Sequence, residues 1–338
     1  MRAPPPRITN LALLVALLVA FASGVGAVAA GTPSGRWVAV AHGVVGVAVV
    51  LLVPWKSMIV RRGLRRARRS RWVSLLLAAL AVAALLTGLG SASGLVQSVG
   101  DFRGIWLHVA AALALVPLVV WHVLARPAHA HRTDLSRRTL LRAGTLGAAA
   151  AVVYLAITTV VRAAGLPGAR RRFTGSYEAG SFDPAAMPTT SWIDDLPPEV
   201  NPATWRLVVA DADGERELSL DELSRHDARL RATLDCTSGW YAHQDWEGVP
   251  VAALVPNTGA ARSLHVHSRT GYWIQFPIGD LDRLLLATRT GGAPLSVGHG
   301  FPARLVAPGR RGFWWVKWVV SIEVDRAPWW RQPPFPPT

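Results

Sequence analysis

Acidic residues are almost missing from the first half of this 338-residue chain, and cysteine is almost missing from all of it. The first 170 residues hold 2 Asp and Glu against 19 Lys and Arg, whereas the remainder holds 19 against 17. The net charge of +15 therefore belongs to the N-terminal half. A single cysteine, Cys236, excludes an internal disulfide even in a compartment that would permit one. The arginine excess does not point to nucleic acid as a partner, because the arginines stand between long apolar runs, as in membrane loops, rather than on one basic face.

What is there is apolar. Five stretches, at 10–31, 37–60, 72–90, 105–125 and 140–162, are each long enough to cross a hydrocarbon core about 30 Å thick, which takes ~20 helical residues. The first is longer than a secretory signal peptide and four more follow, so it is expected to remain as a span. The connection RRGLRRARRSR, residues 61–71, holds seven arginines and residues 126–142 hold five, while the other two connections are short and nearly neutral. The positive-inside rule places the arginine loops and the N-terminus in the cytoplasm, and everything after about residue 163 on the outer face of the cell membrane. The expected organisation is an all-α membrane domain of five transmembrane helices over residues 1–165, a linker over 166–200 rich in Pro, Ser and acidic residues, and an extracytoplasmic mixed α+β domain over 201–338. No chemistry is expected from the linker.

In the third part, TWRLVVADADGERELSL reads as a hairpin with Asp213-Gly214 at its turn. RSLHVHSRTGYWIQFPI alternates as a strand that puts His265 and His267 on one face, as strand histidines rather than a metal pair, since nothing nearby completes a site. No internal repeat is visible. The stretch LDCTSGWYAHQDWEGVP, residues 234–250, sets Cys236 between the strand-like run Arg231–Asp235 and a Thr-Ser-Gly turn, with Trp240, Tyr241 and Trp246 as a wall. A thiolate at the mouth of a strand can face a cofactor, and soft thiolates suit redox-active metals, so Cys236 is read as a metal ligand. A second block, residues 284–324, gathers His299, Arg304, Arg310, Arg311 and Lys317 with Gly298, Gly300, Gly309 and Gly312, a pattern suited to a phosphate-bearing ligand that the backbone approaches closely. Arg304 alternates with Ala303, Leu305 and Val306 in a buried strand pattern, and a buried arginine needs an anionic partner.

The cysteine stretch and the pattern HGFPxRLxxPGxxGxxxVKW of the second block resemble the sulfite oxidase family of molybdenum enzymes, over roughly residues 200–325. The resemblance implies a domain of sulfite-oxidase molybdopterin-binding type carrying a molybdenum-molybdopterin cofactor, with Cys236 as the protein ligand to molybdenum. It puts His299, Arg304 and Lys317 at pterin-contacting positions, while Arg310 and Arg311 replace less charged residues there. Tyr272 falls near the metal as a catalytic candidate; the segment Tyr272–Pro277 keeps the spacing of the family's Y-x-x-S-I-P, but Gln275 and Phe276 depart from it. The implied activity is two-electron oxygen-atom transfer on a small oxyanion, with reduction of an S- or N-oxide, as in the periplasmic methionine-sulfoxide reductase catalytic subunit, as the alternative. For sulfite, Arg269, His243 and Arg262 are the candidate cations. The family's further dimerisation domain has no counterpart here, so no dimer of that type is expected. A cofactor-free extracytoplasmic binding module on a membrane anchor is the rival reading from another class.

Two features lie in the first half. Ser136-Arg137-Arg138-Thr139-Leu140-Leu141-Arg142 resembles the S-R-R-x-F-L-K signal of the twin-arginine route, which exports folded cargo, as a domain loaded with pterin in the cytoplasm requires. His42 and His108 stand at similar depth near the outer ends of spans two and four, positions suited to a b-type haem between two imidazoles. His122 follows His108 by fourteen residues, ~21 Å of helix, and has no intramembrane partner; His129 and His131 lie in the cytoplasmic loop. The H-x13-H spacing resembles di-haem membrane cytochromes, which implies electron exchange with a membrane carrier, a quinone or a cytochrome.

Overall fold

Apolar runs without acidic residues become helices: α1 Pro6–Ala29, α2 Arg36–Leu64, α3 Arg71–Ser93, α4 Gly104–Ala125 and α5 Arg137–Ala163. All five are long and apolar enough to cross a membrane. The computed structural model describes residues 5–64, 71–127, 130, 131, 134, 136–191 and 195–333, so most of the first arginine loop and His129 lie outside the described residues. A helix satisfies its own backbone hydrogen bonds, which is why such a composition can sit in lipid. Two short strands, β1 Ser98–Val99 and β2 Phe102–Arg103, pair antiparallel in the connection between α3 and α4. Ser136 caps α5, its hydroxyl accepting the Thr139 N–H at 3.4 Å, so Arg137 and Arg138 open the first turn of that helix.

The chain divides between Gly175 and Ser176 into two compact units. The segment 166–200 is therefore not one linker. Its part from Ser176 onward belongs to the second unit and contributes β3 Tyr177–Glu178, which pairs parallel to β7 Trp240–Pro250.

The second unit holds two sheets. The first sheet places β7 beside β6 Ala228–Asp235 and β10 Leu285–Thr290, with β11 Ala293–Pro294 and β12 Arg304–Val306 on β10. Along β7 the alternation is visible as burial: Trp240, Ala242, Gln244 and Trp246 point inward, while Tyr241, His243 and Asp245 are half-buried. The second sheet runs β5 Gly214–Ser219, β4 Arg206–Asp211, β13 Val319–Asp325, β8 Ser263–Ser268, β9 Trp273–Pro277. The expected hairpin is β4–β5, with Gly214 at φ +135° where the chain turns. Short helices α6 Leu220–Ser224 and α7 Val251–Leu254 follow β5 and β7; α6 starts in a capping box between Ser219 and Glu222. The core is rich in tryptophan, with Trp246 and Trp315 fully buried and their rings edge to face at 5.6 Å. Trp246 belongs to β7 beside β6, and Trp315 to the loop before β13, so this core contact fixes the second block against the cysteine hairpin.

Candidate active site

Strands β6 and β7 are joined by the four residues Cys236–Gly239. The loop is tight: the Cys236 N–H donates to the Trp240 carbonyl at 2.9 Å, the Gly239 N–H to the Cys236 carbonyl at 3.2 Å, and Gly239 takes φ +93°. Cys236 is half-buried, and its Sγ accepts the Ser238 hydroxyl at 3.1 Å. The sulfur thus stands at the strand mouth, on a loop whose backbone bonds are already made.

Arg311 fastens that loop. Its guanidinium pairs with Asp235, donates to the Cys236 carbonyl at 3.2 Å and reaches the Ser176 hydroxyl at 3.4 Å, while Ser176 donates to Asp235 at 2.7 Å. Arg311 and Asp235 are each only 2 % exposed, and their backbones form an isolated bridge. Gly312 is required beside them, since a Cβ there would stand 3.0 Å from the Cys236 Cα. Arg311, expected at the pterin, is therefore part of the cysteine loop's support. Arg310 also turns away, pairing with Asp280 and lying 4.5 Å from the centre of the Trp314 ring. Neither lines the cleft: the second block has more cations than the site needs, and a buried carboxylate or an indole face takes the surplus.

The cleft beside Cys236 is lined by Tyr272, His299, Arg304 and Lys317, with Thr190 and Asp195 from the segment expected to carry no chemistry. Arg304 is 3 % exposed and lies between Trp246 and Trp315, 5.6 and 5.7 Å from their ring centres. Its Nη1 donates to the His299 carbonyl at 3.2 Å, and its Nε has no acceptor among the described residues. Burial pushes its pKa down to about 10, with nearby Cys236 opposing the shift, so it remains a cation at neutral pH. This buried, incompletely satisfied guanidinium is the observation that fits an anionic cofactor group.

Lys317 is held by carbonyls, donating to Gly298 at 2.7 Å and Thr190 at 2.9 Å. Burial first and Arg304 next lower its pKa to about 7, while Cys236 and Asp195 oppose the shift. His299 donates from Nε2 to the Met187 carbonyl at 3.1 Å, and its Nδ1 lies 2.8 Å from the Ser296 hydroxyl, so the carbonyl partner assigns the proton to Nε2. Burial, Arg304 and Lys317 lower its pKa and keep the ring neutral. Gly300, at φ +110°, brings this backbone against Arg304 and Lys317. Tyr272 is buried and donates to the Phe313 carbonyl; burial, then Asp195, raises its pKa above the usual phenol range, so it holds its proton.

The three cations considered for sulfite lie elsewhere. Arg269 lines a larger groove of about 920 Å³ with Arg206, His243 bonds Thr233 at 2.7 Å and stacks on Phe182, and none of the three faces the cleft. His265 and His267 sit side by side at 4.0 Å, and burial takes His265 down to about 4. Among the described residues no third ligand turns them, or any other group, into a metal cluster. Thr190, Asp195, Ser176 and the role of Asp235 were missed from sequence. The one available signal was Asp235 itself, a carboxylate at an inward strand position beside the cysteine.

Residues 194–332 match the family described as oxidoreductase molybdopterin binding domain. Among solved structures, the chain is similar to the sulfane dehydrogenase SoxCD from Paracoccus pantotrophus, at 24% identity and a TM-score of 0.37, over 39% of this chain and 40% of that one. The chain thus spans less than half the length of that relative. No curated protein matches it. The family match sets aside the cofactor-free binding module.

Asp235→Asn leaves Arg311 buried without its counter-charge and should cost about 3–5 kcal/mol of unfolding free energy in urea. The double variant Asp235→Asn, Arg311→Met should recover most of that loss; equal losses would show the pair to be unimportant to the loop. Lys317 gives a pH test. Its folded pKa, about 7, lies below its usual 10.5, so the cofactor-free fold is penalised fully below pH 7 and gains stability as pH rises toward 10.5. The difference in urea midpoint between wild type and Lys317→Met should therefore favour the variant at pH 6 and shrink by pH 9.5; a constant difference would contradict the shift.

Proposed function

We propose that this chain, whose residues 194–332 are a molybdopterin-binding oxidoreductase domain of the sulfite oxidase type, is a membrane-anchored enzyme of two-electron oxygen-atom transfer working outside the cytoplasm. The observation that carries the reading is the meeting, in one cleft, of the only cysteine with a buried arginine that has donors to spare. Oxidation adds one water-derived oxygen to the substrate and releases two protons and two electrons; reduction of an S- or N-oxide is the same balance reversed. When bound, the cofactor supplies a metal that accepts or gives the electron pair.

The chain's own groups have separable tasks. Cys236 would hold the metal through Sγ, on a loop kept in place by the Arg311–Asp235 pair. Arg304 and Lys317 bind anionic parts of the cofactor, the first as a permanent charge and the second as one that gains its proton when an anion arrives. Neutral His299 orients through its donor to Met187, and Tyr272 keeps its proton on Oη while bracing the Phe313 carbonyl. Trp240, whose Nε1 donates to the Thr190 hydroxyl at 3.1 Å, closes one wall against water.

Asp195 in the cleft wall favours the second direction. A carboxylate there, with Arg269, His243 and Arg262 facing elsewhere, suits a neutral S- or N-oxide better than a doubly charged oxyanion.

The helical unit supports anchoring and electron exchange. His42 and His108 face each other with ring centres 5.9 Å apart, and each Nδ1 is bonded to a backbone carbonyl, of Ala20 at 2.9 Å and of Ala84 at 2.7 Å. A carbonyl on Nδ1 fixes the tautomer that leaves Nε2 as a lone-pair donor, the arrangement a metal-binding imidazole needs. This donor set fits a b-type haem that would pass electrons to or from a quinone or cytochrome. The arginine-rich loops favour a cytoplasmic N-terminus by the positive-inside rule, and Arg137-Arg138 would direct export of the folded domain.

Cys236→Ser should lower turnover on a sulfoxide or sulfite at least 10³-fold while the protein stays folded and keeps its pterin, read by fluorescence of the oxidised pterin after denaturation. Wild-type turnover in this variant would remove Cys236 from the mechanism. The double change Arg137→Lys, Arg138→Lys preserves charge and should leave residues 176–338 protected from protease added outside whole cells; digestion as in wild type would reduce the pair to a topological anchor.

A further inference from the structure

Helices α1 and α3 carry one motif twice, Ala20-x-x-Ser23-Gly24-x-Gly26 and Ala84-x-x-Thr87-Gly88-x-Gly90. The two copies make matching carbonyl contacts, and Ser23 adds a contact of 3.3 Å to His42 Nδ1. The Ser23 hydroxyl donates to the carbonyls of Val19 at 2.6 Å and Ala20 at 3.1 Å; the Thr87 hydroxyl donates to those of Ala83 at 2.6 Å and Ala84 at 3.2 Å. The Ala20 carbonyl accepts from His42, and the Ala84 carbonyl from His108. Each glycine makes room for its ring: a Cβ on Gly24 would stand 3.1 Å from His42 Cε1, and one on Gly88 2.9 Å from His108 Nδ1. The hairpins α1–α2 and α3–α4 are two copies of one unit.

The correspondence continues along the second helix of each copy. Trp55-Lys56 ends fourteen residues after His42, and Trp121-His122 ends fourteen after His108. Fourteen residues are ~21 Å of helix and nearly four full turns, so Lys56 and His122 stand on the same faces of α2 and α4 as His42 and His108, at the other end of each helix. Lys56 donates to the Asn10 side-chain oxygen at 2.9 Å. His122 has a buried Nδ1 with no partner among the described residues.

We propose that Lys56 and His122 form the duplicate of the His42–His108 site, a second metalloporphyrin position that Lys56 closes. The inference rests on the haem reading given above. Imidazole offers iron a lone pair, whereas an ammonium donating to Asn10 has none, so His122 alone cannot make a two-imidazole site. The helical unit accordingly carries one b haem, and the single change Lys56→His opens a second site.

The test is haem per polypeptide on the purified full-length chain in detergent, by pyridine haemochrome, with the reduced-minus-oxidised spectrum alongside. Wild type and Lys56→Met should bind one haem, Lys56→His two, and Lys56→His with His122→Ala one. The haem retained in each variant reports that its helices are folded. Two haems in wild type, or one in Lys56→His with an unchanged spectrum, would overturn the duplicate site while leaving the outer haem standing. No haem in wild type would instead overturn the haem reading itself, and this inference with it.

Discussion

The buried pair of Arg311 and Asp235 is the contact on which the arrangement of the catalytic unit depends. Three segments far apart in sequence meet there: Ser176 at the start of the unit, the end of β6 beside Cys236, and the loop before β13. Removing two charges from water is expensive, and only close geometry with added hydrogen bonds recovers it. Asp235 meets that demand with the guanidinium and the Ser176 hydroxyl, and Arg311 with a carboxylate, a hydroxyl and a carbonyl. The yield is positional. The sulfur of Cys236 is held relative to the second block by a contact that tolerates little displacement.

The cleft shows the opposite treatment of charge. Arg304 is about as deeply buried as Arg311, yet among the described residues it meets a carbonyl and two indole faces and no carboxylate. Burial, and after it the charge of Arg304, leave the proton of Lys317 weakly held. Such a site is costly to the empty fold and suited to an anion, because the cost is relieved when the ligand binds. The same contrast separates the two halves of the helical unit. At one end two imidazoles face each other with their Nδ1 atoms on carbonyls, and at the other the corresponding position of α2 holds an ammonium bound to an amide oxygen.

Much of this was legible in the sequence because it is local. Apolar length and the near absence of acid specify membrane-length helices, alternation specifies the strands around Cys236, and the second block resembles the pterin-binding motif of the sulfite oxidase family before any coordinates. What could not be read was which of several similar groups does which task. Arg304, Arg310 and Arg311 are interchangeable in composition, but their partners lie 5, 30 and 76 residues away, and only folding sorts one to the cleft and two to carboxylates. The segment from Ser176 to Ser191 reads as a surface linker because its own hydrogen bonds form only short turns around Asp183, while the contacts that place it, with β7, His299 and Lys317, are made by remote residues. The helical duplication escaped for a related reason: its signature is a few small residues common in any membrane helix, and it acquires meaning only when Ala20 and Ala84 are seen to bond His42 and His108. The sequence by itself determined the kinds of chemistry available, because residue type and spacing are enough for that; the tertiary structure decided which groups face the ligand, because a buried charge goes to whichever partner the fold brings near.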